Sequence, residues 1–277
     1  NIPLIEVPDK DIEETYYFRW WTFRKHLKKT NDGFVITEFL PDVPWAKKHN
    51  TINCPAGHQI YEGRWLRNPK YVQDYIDFWL NKSGDGIRQY GFWVADASLA
   101  FHKVHKNDFI LSEQLSLLVN NYEEWERIRR DSTSILFWQE DGKEGMEVSV
   151  SGRILNNGIP IGGMPAIRPT MNSYMYGDAK AISTIGELAN HPSVAMEYKE
   201  KARLIKREVQ NRLWNEELGF FTVLPRNYSN TTQPINVREA IGYVPWYFNL
   251  PDDNSKYSNA WNKVMDTTGF YAPYGLT

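Results

Sequence analysis

The stretch NSYMYGDAKAISTIGELANHPSVAMEYKEKARLIKREVQNRLWN, Asn172 to Asn215, decides the fold. It reads as two helices joined across the dipeptide His191-Pro192. Proline lacks an amide hydrogen and has its φ preset, so Pro192 belongs in the first turn of the second helix. The pair is a helical hairpin.

Working outward, PKYVQDYIDFWLNK, YGFWVADASLAFHKVHK and DFILSEQLSLLVNNYEEWERIRRD are three further amphipathic helices, the middle one rich in small residues suited to close packing. Near the start, EETYYFRWWTFRKHLKK places Tyr16, Trp20, Phe23 and Leu27 on one apolar stripe, which predicts a helix running to Lys29. Residues 35–65, broken by three prolines and two glycines, read as loop with at most one short strand. REAIGYVPWYFNL and SKYSNAWNKVMD are shorter helical segments, and GFFTVL is the other strand candidate. Helices without intervening strands predict an all-α fold built from hairpins.

Composition limits the function. With 32 Lys and Arg against 34 Asp and Glu, the chain has no basic field for a phosphate backbone, so nucleic acid is not an expected partner. One cysteine, Cys54, excludes an internal disulfide and a multi-cysteine zinc site. His102 and His105 share a helix face, but no acidic residue clusters with them in sequence, so they read as a surface pair; no metal and no cofactor is expected. No apolar run is long enough to span a bilayer, so no membrane partner is expected either. Aromatic residues make up 14% of the chain; such rings fill cores and also stack on sugar faces. Sequons at Asn81, Asn227 and Asn230 point to an extracytoplasmic protein.

DGKEGMEVSVSG, Asp141 to Gly152, follows the apolar run SILFWQE and sets three carboxylates among glycines and serines. GMEVS, RPTMNSYMYGDAKAISTIGELA, LWNEELGFFTVL and IGYVPWYFNLP, in that order, resemble the catalytic domain of the (α/α)6-barrel glycoside hydrolases. These include the trehalases, the family 63 glucosidases and the mannosylglycerate-hydrolase-like domains. The resemblance covers about Glu62 to Thr277 and implies an (α/α)6 toroid, here a partial barrel. Residues 1–60 would be a leading helix and loop, and residues 61–277 the catalytic domain, with the rest of the polypeptide completing the barrel.

Glycoside hydrolysis generally needs two carboxyl groups flanking the glycosidic bond. The resemblance assigns Glu147 as general acid, where many relatives have Asp, and places the base beyond Thr277 in a Trp-Asn-Gly-Pro-like segment. Asp141 is the second catalytic candidate in the loop, although it and Glu144 also read as solvated turn residues. Glu239 is the fallback base. Trp138 is expected to wall the acid and raise its pKa.

The candidate sugar contacts are Glu62 and Arg64, as a clamp or an ordinary ion pair, beside Trp65; Asp96 with Trp93; Arg168, Asn172 and Tyr174; and Arg238 with Trp246. Asn172 could alternatively cap the helix that follows it. The expected activity is carboxylate acid/base hydrolysis of a carbohydrate, inverting, on plant-cell-wall pectic glycans. The rival readings are a non-catalytic carbohydrate-binding domain and a polysaccharide lyase or epimerase on the same toroid.

Overall fold

The computed structural model describes residues 2–106 and 108–276. In chain order these form α1 (Lys10–His26), β1 (Leu27–Thr30), β2 (Gly33–Ile36), α2 (Ala56–Gly63), α3 (Lys70–Asp77), α4 (Val94–His105) and α5 (Leu115–Arg129). Then follow β3 (Trp138–Glu140), α6 (Val150–Leu155), β4 (Pro165–Ile167), α7 (Pro169–Leu188), α8 (Pro192–Arg212), β5 (Trp214–Asn215), β6 (Phe220–Phe221), β7 (Leu224–Pro225), α9 (Val244–Tyr247) and α10 (Ser255–Ser258). Helix dominates and the strands are short, so the all-α class holds.

Two compact units make up the chain. The first runs to Asn121 and includes Ala181–Ala195; the second comprises Tyr122–Lys180 and the residues from Met196 onward. The division expected near residue 60 is not a structural boundary, because α2 runs through it within the first unit.

In the first unit, the Asp9 carboxylate accepts from the amides of Asp11 and Ile12 and so starts α1, while Arg24, Lys25 and His26 complement its C-terminal end. Trp20 and Phe23 are buried, as the stripe predicts. The helix stops three residues earlier than expected. Leu27 turns extended, and β1 pairs antiparallel with β2 from Leu27↔Ile36 to Thr30↔Gly33. Gly33, at φ +102°, lets the chain reverse after Asn31 and Asp32, and the return strand buries Val35 and Ile36.

The helix α2 lies inside the stretch read as loop. Its glycines are sites of close approach rather than breaks: a Cβ on Gly57 would sit 2.3 Å from the Trp93 ring, and one on Gly63 2.7 Å from Val72. The small residues of α4 are buried, and α2 packs on that helix.

The turn of the α7–α8 hairpin also lies in this unit. Asn190 adopts a left-handed φ of +59°, and the His191 amide donates to the Gly186 carbonyl, closing α7. Pro192 then opens α8, as expected.

In the second unit, β3, β4 and β7 form a three-stranded antiparallel sheet, with Trp138↔Ile167 and Ile167↔Leu224 in register. Only part of this sheet lies in the predicted strand segment. The long β3–β4 connection contains the acidic loop.

Candidate active site

The second unit builds this loop around Asp141, which is fully buried. Its Oδ1 accepts from the amides of Gly142 (2.9 Å), Gly163 (2.7 Å) and Met164 (3.0 Å). Its Oδ2 accepts from the Ser149 hydroxyl at 2.8 Å and the Ser149 amide at 3.3 Å, and Nη2 of Arg168 lies 3.9 Å away. Burial alone would raise this pKa. The donors from Ser149, Gly163 and Met164 and the Arg168 charge outweigh it and hold the carboxyl below its ordinary value.

The proton order is fixed by the acceptors. Ser149 gives its hydroxyl proton to Asp141 and accepts from the Gly152 amide as N-cap of α6. Ser151 therefore donates to Ser149 (3.2 Å) and accepts from Arg168 Nη1 (3.3 Å). Nε and Nη2 of Arg168 donate to the carbonyls of Gln139 and Met164. Gly152 must lack a side chain, since a Cβ there would stand 2.3 Å from Asp141 Oδ2.

Glu144 is the second sealed carboxyl. Its Oε1 accepts from the Met171 amide at 3.2 Å, whereas Oε2 is buried without a hydrogen bond among the described residues. Burial pushes its pKa up to about 7 against the opposing pull of Arg168, Thr170 and the Met171 amide. The solvated-turn reading of Asp141 and Glu144 is thus corrected. The chain folds around both side chains because backbone amides converge on the first and the start of α7 covers the second.

Glu147 is the exposed member of the three. It makes no side-chain hydrogen bond among the described residues, and its φ is +58°, in the left-handed region. Its carbonyl is held against Gly162, where a Cβ would approach it to 2.3 Å.

The unit brings Glu239 to the same loop, its Oε1 accepting from the Ser151 amide at 3.2 Å. Arg238 instead turns to the Thr268 carbonyl. Trp138 does not wall Glu147. Strand alternation puts Gln139 inward and Trp138 on the opposite face with Glu140, and the Trp138 ring lies under the guanidiniums of Arg129 (4.2 Å) and Arg226 (3.8 Å).

Asn172 is neither a cap nor a pocket residue: α7 has already begun at Pro169. The buried amide accepts from the Phe137 amide and donates to the Phe137 and Arg168 carbonyls, each at 2.8 Å, clamping the chain that enters β3. Tyr174 packs edge-on to Phe248. Trp246 packs against Phe221 and Trp261.

In the first unit, Glu62 does not clamp with Arg64. It accepts from Arg19 through both oxygens, at 3.2 and 3.0 Å. Arg64 instead lies over the rings of Tyr61 and Trp65, and Trp65 is exposed. Trp93 is a core residue, 3% exposed, and Asp96 accepts from the Tyr61 hydroxyl. His105 bonds the Arg64 carbonyl, and no cluster of three metal-ligating side chains occurs among the described residues.

Sequence reasoning missed the burial of Glu144 and the relay through Ser149 and Ser151. The Ser149-to-Gly152 spacing, that of an N-cap to its third helical residue, is the signal that could have revealed the relay.

A solved structure named "Sialidase" matches all of this chain at 44% identity with a TM-score of 0.91, and the match covers 25% of that chain. The present chain therefore spans about a quarter of that relative's length. The GH63 mannosylglycerate hydrolase from Thermus thermophilus, solved in complex with glucose, aligns over 89% of this chain and 62% of its own at 12% identity and a TM-score of 0.45. Residues 48–277 match the family described as the mannosylglycerate hydrolase MGH1-like glycoside hydrolase domain, and the chain belongs to that family of glycoside hydrolases.

Proposed function

We propose that the 141–149 loop presents Glu147 as the general acid of a hydrolase that cleaves glycosidic bonds with inversion. The observation that supports this is the contrast within the loop: Asp141 and Glu144 are enclosed, while Glu147 is displayed in a left-handed conformation that the surrounding contacts hold in place. Strained backbone of this kind concentrates at functional positions.

The partner carboxylate is assigned to the remainder of the polypeptide, as the motif order implies, with Glu239 as the local alternative. The proposed substrate is a neutral plant-cell-wall glycan. Arg168, the guanidinium beside Asp141, is fully buried and committed to Asp141, Ser151 and two carbonyls, so it is not free to hold a sugar carboxylate. The exposed sequons at Asn81, Asn227 and Asn230 support an extracytoplasmic location.

Glu147→Gln tests the acid. Turnover of glycosides with poor leaving groups should fall by roughly two to four orders of magnitude, the usual contribution of general acid catalysis. Nitrophenyl glycosides, whose leaving group needs little protonation, should lose far less. Proton NMR of the first-formed anomer tests inversion, and chromatography of a pectic oligosaccharide panel tests the substrate.

One observation favours a second reading: Glu144, with its pKa pushed up to about 7, is itself poised as an acid. Were Glu144 the acid, Glu144→Gln rather than Glu147→Gln would show the leaving-group contrast.

A further inference from the structure

The first unit contains an open cleft of about 430 Å³ between α1, the end of β2 and α2, within the range of roughly 300–1,000 Å³ usual for small-ligand sites. Arg19, His26, Glu38, His58 and Glu62 line it, with Phe23 and Pro55 as apolar wall. All but one of the polar groups named next are already engaged. Arg19 is bound to Glu62, and His26 uses Nδ1 to donate to the Thr37 carbonyl at 2.8 Å. His58 packs edge-on against Trp93 at 4.8 Å.

Glu38 is the exception. Its carboxyl makes no hydrogen bond among the described residues, and its Oε2 is sealed from solvent. The carboxyl is thus half enclosed, with its other oxygen, Oε1, open to donors that enter the cleft. Burial raises its pKa, in keeping with a group that lacks donors.

The charge of the lining selects among donors. Arg19 and Glu62 cancel, and burial holds His58 toward its neutral form, which leaves Glu38 as the uncompensated charge. An anionic ligand would meet repulsion here. A neutral, hydroxyl-rich ring satisfies both features, its hydroxyls donating to the carboxyl and its carbon face covering the apolar wall.

We propose that this cleft is a binding site for a neutral saccharide, with Glu38 as the acceptor of its hydroxyls. The proposal does not depend on which carboxylate of the second unit is the acid.

The test uses methyl glycosides of glucose, rhamnose and arabinose, with glucuronate as the anionic control. Affinity is read by ligand-observed NMR titration, and hydrogen–deuterium exchange locates the site. At least one neutral glycoside should bind and slow exchange in residues 36–39 and 55–62. Glu38→Leu should weaken that binding tenfold or more, while Glu38→Gln, which keeps an acceptor, should retain most of it. Because the exchange readout needs no substitution, it holds even if a variant folds poorly. Absence of protection in those segments with every neutral glycoside, unchanged affinity in Glu38→Leu, or preference for glucuronate would each overturn the proposal. Loss of hydrolysis in Glu147→Gln with binding intact would leave it standing.

Discussion

Asp141 and Glu38 each follow a short strand, β3 in one unit and β2 in the other, and both lie in partly or wholly enclosed surroundings, yet they have opposite environments. Asp141 receives four backbone amides, a hydroxyl and a nearby guanidinium; Glu38 receives no hydrogen bond from the described residues. A buried carboxylate contributes to a fold only through the donors arranged around it. The first is architecture, and the second adds nothing to the fold that the chain itself supplies.

That contrast is most directly broken by stability. Asp141→Ala leaves a buried guanidinium without its counter-charge and several amides without their acceptor, so it should cost about 3–5 kcal/mol, the usual loss when one partner of a buried pair is removed. Glu38→Leu removes an unsatisfied group and should lie within about 1 kcal/mol of the parent or stabilise it. Urea unfolding of the two variants decides the matter. Equal losses would mean that the donors around Asp141 are incidental.

Glu144 sharpens the comparison, because its carboxyl is enclosed like that of Asp141 but poorly satisfied like that of Glu38. Its pKa is about 7 in the folded chain against an ordinary 4.5, so between those values the folded state binds the extra proton. Stability must then fall as pH rises through this window, by roughly 3 kcal/mol in total, since each pKa unit corresponds to about 1.4 kcal/mol. Asp141 has the opposite sign and another window: its contribution is complete above the ordinary carboxylate range and is lost on acidification below it. Glu144→Gln should flatten the slope between pH 4.5 and 7 and be more stable than the parent at pH 8. Denaturant midpoints measured across pH 3–8 check both signs.

These differences show where the sequence could be read and where it could not. The α7–α8 hairpin was legible because His191-Pro192 and the helical runs act locally. Helix α2 was not, since Gly57 and Gly63 look like breakers until Trp93 and Val72 are seen pressed against them from elsewhere in the chain. The acidic loop was legible as a concentration of carboxylates beside an apolar run. Which of them would be buried was not, because the amides of Gly163 and Met164 reach Asp141 across more than twenty residues. Asn172 was legible as an important polar residue, but its partner, the backbone of Phe137, lies 35 positions away.

The smallest effect concerns Glu147 itself. At φ +58° a non-glycine residue outside a favourable local bond carries strain, typically of order 1–3 kcal/mol, and Glu147 makes no side-chain hydrogen bond among the described residues to offset it. Glycine adopts that conformation freely, though it adds entropy to the unfolded chain, so the net gain from Glu147→Gly should be about 1 kcal/mol or less. If Glu147 is the acid, the same variant should lose hydrolysis of poor-leaving-group substrates as severely as Glu147→Gln does. A residue that is strained for function therefore yields stability and activity changes of opposite sign, whereas a mere turn residue yields stability alone. Thermal unfolding and turnover measured on Glu147→Gly beside Glu147→Gln separate the two: a stabilised variant that still protonates its leaving group would return the acid's role to Glu144.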